Sequence, residues 1–259
     1  MMQAIILAAG RGSRMKNMTD AQPKCLVKLG GKTLLEWQTE ALSLAGFSDI
    51  TIVRGYCKNA LQNTFYRYVD NPKWEETNMV YSLSCADHIL RNQSCLISYS
   101  DIVYHPHIVK QLMTASGDIV ITYDESWELL WKLRFENPLD DAEVFQIAKD
   151  GLKAIGLKAK IVSEIHGQYM GLLKISPKGW DQINNYLCSI PWTDYAKLDM
   201  TSLLHQLIQQ GIRVDVVPIQ GRWCEVDSMK DLYLYESNLQ KGSWSHDWRV
   251  SSHGISKFC

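Results

Sequence analysis

Between Ala9 and Lys24 the chain reads AGRGSRMKNMTDAQPK, a loop-like run that holds Gly10, Gly12 and Ser13 together with Arg11, Arg14, Lys16 and Lys24. Glycines let backbone N–H groups approach an anion closely, and guanidinium and ammonium groups suit a triphosphate with charge to spread. Leu7, Ala8 and Ala9 come just before; the two small alanines leave room for a base or a ribose. The cations alone would also describe a solvated basic loop, but the Gly-x-Gly spacing behind an apolar run favours a phosphate loop. Two other glycine readings fail. A dinucleotide fingerprint needs a third glycine where Met15 stands, and an acid where the second strand ends at Val53-Arg54. Gly30-Gly-Lys-Thr33 imitates a Walker A ending, yet Leu26 stands where that motif's first glycine belongs. A β-turn at Gly30-Gly31 running into a helix explains that stretch better.

A bound triphosphate calls for a divalent cation, and Mg2+ takes carboxylate oxygens, with water and phosphate completing its octahedron. Asp101, in LISYSDIV, and Asp227, in WCEVDSMKDL, each stand at a strand end. Either acid alone also fits a helix cap or a turn. The stretch SWELLWKLRFENPLDDAEVF (126–145) gathers Trp127, Trp131, Arg134, Asp140, Asp141 and Glu143. Aromatics beside acids suit a cationic head group, although Trp127 and Trp131 at i, i+4 also fit ordinary core contacts. His105-Pro-His107 looks like a metal pair, but a loop just past Asp101 accounts for it.

The elements that must position these groups alternate. Ala4–Ala8 is a short apolar run, as in a strand buried on both faces. Thr33 caps a helix over TLLEWQTEALSLAGF, with Glu36 completing a capping box and Gly46 as its stop. DITIV (49–53) is the second strand, so the chain opens as a parallel α/β sheet. Helix is expected over 78–90 and 107–115, with strand over 94–103 and 118–123. The alternation then breaks. Residues 144–156 read as a hairpin turning at Lys149-Asp-Gly151, 167–176 as a strand, and Pro177 opens a helix to about Leu187. Helices over 200–211 and 228–240 flank strands in IRVDVVPI and WCEVD. Residues 242–259, rich in Ser, His and Trp without periodicity, read as a tail or flap beyond a single domain at 1–241.

At 259 residues the chain is long enough for one sizeable core, burying about 70–75 % of its unfolded surface. Its net charge is −1, with no basic run of five or more, which argues against nucleic acid or an anionic membrane as the main partner. The seven cysteines (Cys25, Cys57, Cys85, Cys95, Cys188, Cys224 and Cys259) never form a C-x-x-C pair, so reduced thiols and a cytoplasmic protein are expected. AIILAA has no basic segment before it and reads as a strand rather than a signal peptide. No later apolar run approaches the roughly 20 residues of a membrane span.

LAAGRGSRM…T…PKCLV (Leu7–Val27), with Thr19 and Pro23-Lys24 in register, resembles the signature of the nucleotidyltransferases that load sugar phosphates or phosphocholine onto a nucleotide. The resemblance extends to about Gln240. It implies a Rossmann-like three-layer α/β/α fold with a mostly parallel sheet and a small β-rich acceptor lid. It further implies Mg2+ on Asp101 and Asp227. It assigns Leu7, Ala8, Ala9, Gly10, Arg11, Gly12, Ser13, Arg14, Lys24, Gly55, Asn78, Ser82 and Asp101 to nucleotide binding. Arg14, Lys24 and Lys158 would do the catalytic work, Lys158 by contacting the acceptor's phosphate. In AIGLKAK, Ala159 replaces the family's usual proline, so Lys160 is the fallback. HGQYMGLL resembles the strand beside the acceptor pocket, putting Gly167 and Tyr169 with Trp127, Trp131, Asp141 and Glu143 in acceptor binding; Gly167 equally fits close sheet packing. NPKWEETNMVYSLSCA resembles phosphocholine cytidylyltransferases, and NPLDDAE those that activate small phosphorylated amines, amino acids or phosphonates for surface polysaccharides, phosphoglutamine among them. The expected substrates are therefore CTP and a phosphorylated acceptor, and a homodimer is compatible with the family. A sugar- or polyol-1-phosphate enzyme using UTP, GTP or CTP, and a non-catalytic nucleotide sensor, are the rival readings.

Overall fold

The computed structural model describes residues 2–149 and 151–250, apart from the Lys16 side chain. Lys16 as a loop cation, Asp150 in the hairpin turn, Cys259 and the 251–259 part of the expected tail therefore lie outside the described residues. In chain order, β1 (Gln3–Ala8) leads through a loop to two-residue strands β2 (Lys28–Leu29) and β3 (Lys32–Thr33), α1 (Leu34–Leu44), β4 (Ile50–Arg54) and β5 (Arg67–Asp70). Then come α2 (Met79–Ser84), α3 (Asp87–Leu90), β6 (Cys95–Tyr99), β7 (Ile102–Tyr104), α4 (Pro106–Thr114) and β8 (Ile119–Asp124). The second half carries α5 (Trp127–Arg134), β9 (Glu143–Ala148), β10 (Gly151–Lys158), β11 (Gln168–Ile175), α6 (Pro177–Ser189), α7 (Trp192–Lys197) and α8 (Met200–Gln209). It closes with β12 (Asp215–Ile219), β13 (Trp223–Glu225) and α9 (Met229–Leu239).

Seven strands form one sheet in the order β12-β8-β11-β6-β1-β4-β5, and only β11 runs against the rest. β1 lies inside it and every one of its residues is buried. Successive side chains on a strand point to opposite faces. Ala4, Ile6 and Ala8 accordingly enter one core, against α1 and α4, while Ile5 and Leu7 enter a second, against α2 and α6. Helices cover both faces, so the expected three-layer, mostly parallel architecture is the one observed.

α1 starts as its sequence requires. The Glu36 N–H donates to Thr33 Oγ1 at 3.1 Å, and the Thr33 N–H donates to Glu36 Oε2 at 2.7 Å. The Gly30-Gly31 turn before it joins β2 to β3 with both glycines at positive φ, and the Gly30 N–H donates to Glu236 on α9 at 2.7 Å. An amide spent on Glu236 is not offered to a phosphate, which settles the mimic as a turn.

Two expected elements divide. The 78–90 helix breaks into α2 and α3 at Cys85–Ala86, where the fully buried Ala86 leaves helical backbone. The 94–103 strand breaks at Ser100-Asp101 into β6, which stays in the main sheet, and β7, which pairs antiparallel with β13. The expected 144–156 hairpin is β9 and β10. Residues 243–250 carry no regular structure but pack onto the domain: His246 and Trp248 are buried, and Trp248 meets Trp37 edge to face at 5.8 Å.

Candidate active site

β1, β4 and β6 run parallel, and the loops leaving their carboxyl ends face a common crevice, the usual place for a ligand in an open α/β sheet. The loop after β1 turns back at Gly12, whose φ is +70°. A Cβ there would lie 2.8 Å from the Lys24 side chain, so only glycine lets Lys24 cross beneath the loop. Thr19 Oγ1 donates to the Gly12 carbonyl at 3.2 Å, and the Tyr56 hydroxyl donates to the Thr19 and Asp20 carbonyls at 2.8 and 2.7 Å. Those ties fix the far end of the loop to the one after β4.

Lys24 is 7 % exposed and bridges two acids, its Nζ donating to Asp101 Oδ2 at 2.9 Å and to Asp227 Oδ1 at 2.7 Å. Arg14 pairs with the other oxygen of Asp227 while most of its side chain stays in solvent. The β7–β13 ladder brings the distant acids together. Ile102 lies opposite Glu225, and the Val226 N–H donates to the Asp101 carbonyl at 2.8 Å. Asp101, Glu225 and Asp227 thereby present carboxylate oxygens within 4.8 Å of one another. Burial works against the Lys24 ammonium, but Asp101, Asp227 and Glu225 outweigh it and hold its pKa above the ordinary lysine value. Burial also opposes the Asp227 carboxylate, and Lys24 overcomes it to hold Asp227 low. Glu225 is pushed up to about 7, first by burial and then by Asp227 and Asp101, with Arg134 and Lys24 opposing. Beneath the cluster the buried Arg134 donates to Glu225 at 3.1 Å and to Asp231 at 2.9 Å. Asp231 in turn accepts from the Asp227 and Ser228 N–H groups at 3.1 and 2.9 Å.

Two cavities meet at this cluster. The first, of about 320 Å³, is lined by the sequence-predicted Leu7, Ala9, Gly10, Gly12, Ser13, Arg14, Lys24, Asn78, Ser82, Asp101 and Asp227. The second, of about 260 Å³, is lined by the sequence-predicted Trp131, Asp141, Glu143 and Tyr169; Arg14, Tyr99 and Asp227 belong to both. Trp131 Nε1 donates to Asp141 at 3.0 Å, which fixes acid and ring side by side. Glu143 is pushed up to about 7 by burial, then by Asp199 and Asp141, with a hydrogen bond from Thr201 opposing.

Other predicted residues stand away from the cavities. Ala8 enters the core on the α1 face, and Arg11 pairs with Asp20 at 3.1 Å in solvent. Gly55 lies under Trp74, where an added Cβ would meet the Trp74 Cβ at 2.5 Å. Trp127 is core, packed edge to face on Trp131 at 6.0 Å. Gly167 packs on Tyr123, with 2.4 Å available to a Cβ. Lys158 is exposed at the end of β10, its backbone paired opposite Glu143, and Lys160 is exposed beyond it. His105 caps α4, its Nδ1 accepting from the His107 N–H at 3.1 Å. Lining residues that sequence reasoning passed over include Trp74, Thr77 and Tyr99 in the first cavity and Gln168, Thr201 and Glu225 in the second. Glu225 was within reach, because Glu225 and Asp227 stand two apart in an extended segment and so share a face.

The pattern of the MobA-like NTP transferase domain matches residues 4–160. CTP:phosphoglutamine cytidylyltransferase of Campylobacter jejuni is 37 % identical over 247 residues, 89 % of this chain and 98 % of that one. Choline-phosphate cytidylyltransferase of Streptococcus pneumoniae is 41 % identical over 95 residues, 35 % of this chain and 42 % of that one. Among solved structures, the inositol-1-phosphate CTP transferase from T. maritima superposes with a TM-score of 0.74 at 20 % identity, covering 93 % of this chain and 96 % of that one. That likeness supports the fold.

Proposed function

This chain belongs to the MobA-like NTP transferase family, and from that premise we propose that it transfers CMP from CTP to a small phosphorylated amino acid or amine, releasing pyrophosphate. The observation that carries the reading is the pair of cavities joined at Arg14, Tyr99 and Asp227, one walled by glycines and cations, the other by an aromatic ring and acids. Two anions brought together there meet at a single point, beside Lys24.

Nucleotide and acceptor occupy the first and second cavities. An acceptor oxygen attacks the α-phosphorus of CTP in line; the new O–P bond forms as the bond to the β-phosphate oxygen breaks, and the electron pair leaves with pyrophosphate. The acceptor is already an anion, so no side-chain nucleophile or base is needed. Rate comes from holding two anions in line and neutralising the charge that develops. The Gly10–Gly12 backbone and Arg14 hold the β- and γ-phosphates and Lys24 the α-phosphate, while Lys158, exposed at the hairpin edge outside the lining of both cavities, takes no part in this arrangement. Trp131, Asp141 and Glu143 receive an ammonium group on the acceptor. A divalent cation fits the acidic cluster: the donors are all carboxylates, and Asp101 Oδ1 is buried without a hydrogen-bond partner. Asp101, Glu225 and Asp227 would hold Mg2+, which when bound neutralises phosphate charge. The expected setting is the cytoplasm, where the product would supply modification of a surface polysaccharide. Among the described residues, no helix is long and apolar enough to cross a membrane.

A matrix of CTP, UTP, GTP and ATP against phosphoglutamine, phosphocholine, 2-aminoethylphosphonate, inositol 1-phosphate and glucose 1-phosphate, read as pyrophosphate release, tests this directly. Turnover is expected with CTP and an amine-bearing acceptor. Preferred turnover of a sugar or polyol phosphate refutes the acceptor assignment. CTP binding without pyrophosphate release under any pairing refutes the enzyme.

A further inference from the structure

The segment after α9 contributes a buried histidine to a network that ends on the wall of the second cavity. His246 is fully buried, and its Nε2 lies 2.9 Å from Asp124 Oδ2. Asp124, also fully buried at the end of β8, accepts from Trp223 Nε1 at 2.9 Å, the Gly221 N–H at 2.8 Å and the Ser126 N–H at 2.9 Å. Both Asp124 oxygens already accept from N–H donors, and the His246 tautomer with its proton on Nε2 adds a further donor to that carboxylate. Trp223 lines the second cavity.

The same segment holds the backbone that feeds Trp223. Gly221 and Arg222 both have positive φ, +62° and +58°, and Arg222 is one of only two non-glycine residues in that state among those described. Left-handed backbone at a side-chain-bearing residue persists where its surroundings over-determine it. Here the Arg222 N–H donates to the Ser245 carbonyl at 2.9 Å, and the Arg222 carbonyl accepts from the His105 N–H at 3.0 Å. A Cβ on Gly221 would come within 2.5 Å of that same Ser245 carbonyl. The Cys224 thiol meets the His246 carbonyl at 3.5 Å. Residues 245–246 thus run along residues 221–224 and fix them by backbone and side chain alike.

We propose that His246 is a positioning residue for the acceptor: through Asp124 and the Gly221-Arg222 turn, the segment around it sets the indole of Trp223 against the second cavity. This rests on the acceptor reading of that cavity. Glu225 and Asp227 have separate anchors in Arg134 and Asp231, and none of the network residues lines the first cavity. The effect of losing His246 therefore falls on the acceptor and spares the nucleotide.

Steady-state kinetics with CTP and phosphoglutamine, paired with thermal melts, test the proposal. His246→Ala is expected to raise the phosphoglutamine KM about five- to tenfold, a part of what a hydrogen bond to a buried charge is worth, with the CTP KM within about twofold. His246→Gln keeps a donor near Nε2 and is expected to recover most of the loss. Trp223→Phe keeps a ring but removes the indole donor; it is expected to raise the same KM and to combine less than additively with His246→Ala. If His246→Ala fails to fold, the Gln and Phe variants carry the same comparison. An unchanged phosphoglutamine KM, or equal rises in both KM values tracking the loss of Tm, overturns the proposal. A wild type that releases no pyrophosphate with any acceptor defeats the function itself, and is told apart because the failure is already present without mutation.

Discussion

Lys24→Met tests the centre of the site on two independent axes. The side chain is 8 % exposed and its ammonium is bonded to two carboxylates, at 2.9 and 2.7 Å. Methionine fills a similar volume without the charge, leaving Asp101, Glu225 and Asp227 facing one another with only the largely solvated Arg14 and the deeper Arg134 as counter-charges. Removing one partner from a buried ion pair costs about 3–5 kcal/mol. Arg14 and the partial exposure of Asp101 place this case near the lower bound, about 3 kcal/mol at pH 8. For a chain of this size that lowers Tm by about 6–12 °C. The loss depends on pH. In the wild type Asp227 is held low, so its contribution is present above the ordinary carboxylate range and fades only as the pH falls through its depressed value. Without Lys24 the crowded carboxylates hold protons to higher pH, so the variant regains stability relative to wild type between pH 8 and pH 5. Millimolar Mg2+ is expected to raise the variant's Tm more than the wild type's, because no ammonium then competes for the cluster. On the second axis, loss of the cation at the α-phosphate is expected to cut pyrophosphate release by at least about 10²–10³-fold. Near-normal release refutes the role of Lys24 in transfer. A stability loss equal at pH 8 and pH 5 refutes the electrostatic account.

Gly12→Ala forces a left-handed backbone and drives its Cβ into Lys24 at 2.8 Å, so turnover is expected to fall at least about tenfold while the cooperative melt survives; steady-state assays and melts read both. Glu143 is neutral below about pH 7, where burial and the neighbouring acids hold its proton, and charged above. For an ammonium-bearing acceptor KM should therefore drop as pH rises through about 7, and Glu143→Gln should flatten that profile while raising KM at pH 8. Arg134→Met takes the guanidinium from Glu225 and Asp231 beneath the site, leaving Asp231 only its N–H and hydroxyl donors, and is expected to cost about 3–5 kcal/mol in urea unfolding.

The nucleotide half was the legible half because contiguous sequence builds it. The apolar run Ala4–Ala8, the Gly10 and Gly12 spacing and Lys24 lie on one strand and the loop leaving it, so local rules reach them. Asp101 and Asp227 were legible as strand-end acids, but what unites them is the β7–β13 ladder, a long-range pairing that no local pattern announces. Glu225 shares a face with Asp227 by local spacing, but the two meet Asp101 only through that ladder. The acceptor half comes from α5, β9, β11, α8 and β13, whose relative placement is a property of the fold. There, two tryptophans at helical spacing took different roles, Trp127 in the core and Trp131 at the cavity: α5 buries Trp127, Leu130, Trp131 and Arg134 while Leu129 and Leu133 stay exposed, and i, i+4 spacing says only that both rings share the buried face. The C-terminal segment was the least legible. It packs through buried His246 and Trp248 rather than a repeating face, and periodicity detects only the latter. The same physics explains why the acceptor wall is the part that single substitutions can reshape. In the proposed reading, phosphate binding draws on one loop tied down at Gly12, Lys24 and Tyr56, whereas the acceptor wall hangs on separate elements whose registration depends on a few buried polar bonds. Trp223, held by Asp124 and His246, and Asp141, held by Trp131, are where such a change would act.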